Sequence, residues 1–167
     1  MTTPENDLGE VKNLIPQAIG RPGQRRFCLV IEGSDHLAVG WMEKEQLQEL
    51  SLSILRKLGP GPMSRSNTYA QQFGFDSAII DTEFRVGVTT LRVDEEAGLF
   101  FVEIHERGAS STHPIIRFSG LSSMVQEMAL TALEICAAGR PLCPVCHIPL
   151  DSEVRHVCPL SNGHHVV

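Results

Sequence analysis

Cys143-Pro-Val-Cys146 followed by His156-Val-Cys158 is the constellation in this chain best suited to hold an ion. Three of the five cysteines fall within sixteen positions. A Cys-x-x-Cys turn aims two sulfurs at one point while backbone N–H groups stabilise the thiolates, which is the first half of a zinc site. His156 and Cys158 share one side of an extended segment, because residue 157 points away, and can converge on the same ion. The loop from His147 to Arg155 is long enough to fold back. Four protein ligands complete a tetrahedron and leave no open position, so the expected Zn2+ is structural rather than catalytic. A tail of ~25 residues cannot bury a core of its own, and such an ion supplies roughly 10 kcal/mol or more of folding free energy. His147, His164 and His165 are rivals to His156 for the fourth position. A redox pair at Cys143 and Cys146 is the competing chemistry, but it prefers a preceding strand and a following helix, and here Pro149 soon follows.

Elsewhere the chemical signals are weaker. Gly20-Arg-Pro-Gly-Gln-Arg-Arg26 places Arg21, Arg25 and Arg26 around a Gly/Pro turn. Turn N–H groups and guanidinium groups together can hold a phosphate or carboxylate; a solvated loop between strands explains the same residues. Glu103, His105 and Glu106 are the nearest approach to an acid/base group. Alternation puts Glu103 and His105 on one face of a strand and Glu106 on the other, which suits an exposed sheet face equally well. His113, before Pro114, reads as a loop residue. The chain has no phosphate-binding glycine loop, no His-Glu-x-x-His and no nucleophile elbow, so no catalytic residue is assigned.

Composition sets the frame. At 167 residues with 42% hydrophobic residues, the chain can build one packed core with a small appendage. No run approaches the roughly 18 apolar residues of a membrane span. The polar, acidic N-terminus lacks the features of a signal peptide, so a cytoplasmic setting with reduced thiols is expected. A formal charge of -6 and 5% aromatic residues argue against nucleic acid and anionic membranes as partners.

The elements that must position these residues read as a duplication. In the first half, 13–60, Asn13–Ile19, Arg26–Glu32 and His36–Met42 have strand composition. Pro16 places the first of these at an edge or a bulge. A helix opens at Glu43-Lys44-Glu45, with Leu47, Leu50, Ile54, Leu55 and Leu58 forming one apolar stripe, and Gly59-Pro60-Gly61-Pro62 ends it. In the second half, 83–139, Phe84–Val93, Leu99–His105 and Pro114–Phe118 are strands. A helix follows from about Leu121 to Ala138, with Ser119 or Ser122 as its expected cap and Gly139 as its stop. Leu47-Gln-Glu-Leu50 aligns without a gap on Val125-Gln-Glu-Met128. The expected fold is α+β: two β-β-β-α units forming antiparallel sheet with two packed helices, a linker over 61–82, a metal-binding tail over 140–163, and disordered or extended ends at 1–12 and 164–167.

The tail Ala138-Gly-Arg-Pro-Leu-Cys143-Pro-Val-Cys146, then His156-Val-Cys158-Pro159 and Asn162-Gly163, resembles the bacterial domain-of-unknown-function family 3090, familiar from actinobacteria. Gly20–Arg25, Glu43–Leu47 and Glu83–Gly87 resemble its upstream motifs, so the likeness spans about 15–163. His147 stands where the family has glycine, the loop before His156 is one residue longer, Leu160 replaces an arginine and His164 a final tyrosine. The resemblance implies a soluble bacterial protein of uncharacterised activity. The expected role is a binding or adaptor module with a structural zinc site and a protein partner. The alternative is an enzyme, or enzyme subunit, acting on a phosphorylated small molecule through the Arg21–Arg26 turn.

Overall fold

Alternation in the sequence becomes seven strands whose apolar sides meet over two helices. A computed structural model describes residues 6–21, 23–59, 80–138, 143, 145–146, 150 and 155–160. The strands are β1 (Asp7–Glu10), β2 (Asn13–Ile19), β3 (Arg26–Glu32), β4 (Leu37–Met42), β5 (Thr82–Asp94), β6 (Leu99–Glu106) and β7 (Ile116–Leu121); the helices are α1 (Lys44–Leu58) and α2 (Ser122–Ala137). The linker expected over 61–82 lies outside the described residues up to position 79, and β5 begins at Thr82. Asp7–Glu10, within the segment expected to be disordered or extended, is a strand.

Each half is a β-β-β-α unit. The strands within a half pair antiparallel, β2 with β3 with β4 and β5 with β6 with β7. The halves meet through parallel pairs, β4 with β5 and β7 with β1. The β4–β5 join follows from connectivity, since the crossover through α1 returns the chain to the same end of the sheet before β5 starts. The hydrogen-bonded order is β1-β7-β6-β5-β4-β3-β2. β1 and β2 therefore stand at opposite ends of that order, yet only Val11 and Lys12 separate them. Val11 N–H donates to Ser119 O on β7 at 2.8 Å, and Lys12 N–H donates to Glu32 O on β3 at 2.7 Å. The segment 7–19 thus crosses from β7 to β3 and closes the sheet on itself.

β5 does the same work on the other side. Its first residues pair with β4 (Ala38 with Thr82, Trp41 with Arg85), its later ones with β6, and its register shifts between Val86 and Thr89. The span 7–19 equals β5 in length, 13 residues. The two helices share a buried face: Leu47, Leu50, Ser51 and Ile54 of α1 correspond to buried Val125, Met128, Ala129 and Ala132 of α2, each 78 positions on. The duplication read from the sequence is a structural one.

One core unites both helices with the inward strand residues, including Leu14, Leu29, Phe84, Phe100, Val102 and Phe118. α1 and α2 pack on one another, and α2 lies against β2. Pro16 is accommodated as expected, because β2 pairs on one side only and ends the order. Cys28, Val30, Leu37 and Val39 form a second buried cluster on the other face.

The helix ends are only partly as expected. Glu43 caps α1, its N–H donating to Gln46 Oε1 at 2.9 Å, and Gly59 ends it with φ at +68°. At α2 neither Ser119 nor Ser122 caps: Leu121 occupies the N-cap position, with no side-chain cap bond. Ser119 and Leu121 belong to β7, which runs directly into the helix, so no free turn exists in which a serine could cap it.

Candidate metal centre

Past α2 the chain brings Cys143, Cys146, His156 and Cys158 together. Their ligand atoms all lie within 4.8 Å of one another. Tetrahedral thiolate and imidazole ligands at zinc distances stand about 3.3–3.8 Å apart, and Cys146 Sγ lies 3.3 Å from His156 Nε2. Cys143 and Cys158 are buried; Cys146 and His156 are half-buried. The turn at 145–146 carries the first pair. The alternation expected at the second pair holds, with Val157 61% exposed between two inward residues. None of the described tail residues forms regular strand.

The electrostatics suit a cation. Backbone N–H groups of Cys146 and Val145 stabilise the Cys143 thiolate and lower its pKa from 9.0 to about 6, against the opposing effect of burial. Hydrogen bonds from the side chains of Cys146 and His156 act in the same direction. This is the N–H-to-sulfur support that a Cys-x-x-Cys turn is built to give. Three soft sulfurs with one imidazole form a donor set for a borderline-soft divalent ion, with every tetrahedral position filled by protein. The rivals His147, His164 and His165 lie outside the described residues.

The other sequence-predicted groups make separate contacts. Arg25 Nη1 donates to Ala138 O at 2.9 Å. Arg26 stacks over the Trp41 ring at 3.9 Å from its centroid. Arg21 is exposed in the turn, where Gln24 N–H donates to Arg21 O at 2.9 Å. Gly20 has φ at +109°, and a Cβ there would meet Gln24 O at 2.7 Å, so glycine is required. The three guanidinium groups thus make different contacts, and Arg25 and Arg26, but not Arg21, line one cleft. Glu103 pairs with Arg117 at 2.8 Å. His105 is half-buried on that strand, Glu106 is exposed, and His113 is exposed in the loop before β7. Sequence reasoning missed the exposed Val145, Val157 and Leu160 around the cluster. Isolated valines and leucines carry no signal of exposure until the ligands fix which way the chain faces.

A family model described as "Protein of unknown function (DUF3090)" matches residues 7–158. The chain belongs to this family. The match runs from the first residue of β1 to the last of the four clustered residues, so it takes in the closed sheet, both helices and the tail. No curated protein and no solved structure matches. No helix among the described residues is long and apolar enough to cross a membrane.

Proposed function

We propose that this DUF3090 protein is a non-catalytic binding module whose tail is clamped by one structural Zn2+ and docks a protein partner. Cys143, Cys146, His156 and Cys158 hold the ion. The observation that carries the reading is that four sulfur and nitrogen donors from two short segments converge within 4.8 Å. Hydrophobic residues around such a clamp would ordinarily turn inward, yet Val145, Val157 and Leu160 are 42%, 61% and 67% exposed. Apolar side chains fixed outward by a rigid metal clamp are the raw material of an interface. Five cysteines with no disulfide among them fit the reducing cytoplasm, where we place the protein.

The test has two parts. Purified protein should contain about one zinc per chain, and Cys143→Ser or Cys158→Ser should lose it. Capture from native cytosol should retain a partner with the wild type and release it with Val157→Asp/Leu160→Asp, which leaves zinc content unchanged. A fully folded, zinc-free wild type sinks the clamp; equal capture by the double variant sinks the docking surface.

A further inference from the structure

A cleft of about 400 Å³ opens beside the start of α1. Arg25 and Arg26 from β3 and its approach, Lys44 from α1, Arg85 from β5 and Arg107 just past β6 line it. Five basic residues thus line one small space in a chain whose formal charge is -6, with the Arg25 guanidinium on Ala138 O and that of Arg26 on Trp41. Two carboxylates, Glu43 and Glu45, also border it. Glu43 answers Arg107 at 3.7 Å, and both side chains are largely exposed. Among the described residues the side chains of Arg85 and Lys44 have no hydrogen-bond or ion-pair partner. Gathering like charges in this way costs folding energy unless an anion offsets it.

A second groove of about 370 Å³ adjoins the cleft and shares Met42, Glu45, Gln46 and Val86 with it. Its floor adds Leu50 and Leu91, between α1 and β5. A basic mouth therefore continues into an apolar groove. Glu45 and Glu49 on the groove wall repel an extended polyanion such as a nucleic-acid backbone. The chemistry selects a small molecule with its negative charge at one end.

We propose that this paired cleft binds a small organic phosphate, its phosphate held by Arg85, Arg107 and Lys44 and its apolar body lying along α1 and β5. Guanidinium groups match phosphate oxygens in pairs, and the ammonium of Lys44 adds a point charge. Among the described residues, the site shares no lining residue with the metal cluster or the proposed docking surface.

Trp41, the single tryptophan, lines the cleft and reports on it. Titration of the full-length protein with phenyl phosphate should change its fluorescence saturably, with matching heat by calorimetry. Inorganic phosphate should bind more weakly, because it leaves the groove empty. Arg85→Gln/Arg107→Gln should weaken phenyl phosphate about tenfold or more, by losing charge-assisted contacts. Arg92→Gln, which removes an arginine stacked on Phe101 outside both clefts, should change nothing. If the double variant melts early, Lys44→Gln alone should still weaken binding severalfold. The proposal is overturned by no saturable heat at millimolar phenyl phosphate, by equal affinity in the cleft variants, or by inorganic phosphate binding as tightly as phenyl phosphate.

Discussion

Arg25 and Ala138 are 113 positions apart in the chain, and Arg25 Nη1 donates to Ala138 O at 2.9 Å. The bond ties the turn between β2 and β3 to the end of α2, where the tail departs. α2 has no basic residue in its own last turn, so the cation that suits a helix C-terminus is supplied from the other half of the duplication. Arg25→Ala is expected to lower stability by about 0.5–1 kcal/mol. Arg25→Lys should recover part of that, since it keeps charge but loses the planar donor geometry. Denaturant melts of the three proteins decide it; identical midpoints would mean the bond is idle in solution.

Gly40 presents a different constraint. It sits on β4 opposite Phe84 of β5, at one of the two parallel joins between the halves. A Cβ added there would stand 2.9 Å from Val86 Cγ2 and 3.1 Å from Phe84 Cζ. Both neighbours are buried and have little room to retreat. Gly40→Ala is therefore expected to destabilise by about 1–3 kcal/mol, as overpacking does. Gly59→Ala meets open space but must hold φ at +68° with ψ at -177°, a region essentially reserved for glycine, so its cost of about 1–3 kcal/mol should come from the backbone alone. Chemical denaturation measures both, and a Gly40→Ala protein as stable as wild type would show that the join flexes.

How far the sequence disclosed this arrangement depends on how local each signal is. Leu47, Leu50 and Ile54 recur at helical spacing, and all three are buried. The four clustered residues were legible because Cys-x-x-Cys and His-x-Cys are short spacings with a geometric meaning of their own. Asp7–Glu10 was not, since a four-residue strand with two acidic residues carries little periodicity and is held by its partner β7. Closure of the sheet through Val11 and Lys12 depends on two strands meeting from opposite ends of the chain, which no local window contains. Arg85 and Arg107 escaped for the same reason: each is an ordinary exposed arginine until β5 and the end of β6 bring them to the mouth of one cleft. α2 misled through its own sequence, which offers two serines near its start, while β7 claims the positions a cap would use.

Acid should open the tail. The Cys143 pKa lies at about 6 in the folded chain, below its ordinary 9.0. A depressed value means that the folded state favours the thiolate. Its stabilisation is present in full above the ordinary value and is lost as pH falls through the folded one. A bound cation reinforces the anion, and protons compete with it for sulfur. Zinc release followed with a chromogenic chelator should thus begin only below about 6, the metal-free value, and increase as pH falls further. The body, held by its apolar core, should keep its far-ultraviolet circular dichroism over the same range. Zinc retained unchanged at pH 4 would refute thiolate coordination by this residue.

Thiol labelling separates the cysteines by their surroundings. Burial pushes the Cys28 thiol up to about 12, so almost none is thiolate near neutrality. Cys136 is raised by burial as well, and its Sγ donates to Lys44 O at 3.8 Å between the two helices. Both should resist alkylation while the core is folded. In the zinc-loaded protein Cys143, Cys146 and Cys158 are engaged with the metal, so brief iodoacetamide treatment should add no mass. Chelation should then expose three of the five cysteines, and denaturant all five. Mass spectrometry reads each stage directly. Three additions before chelation would mean that the cluster holds no ion; a fourth before denaturation would mean that the core opens around Cys28 or Cys136 far more readily than its packing implies.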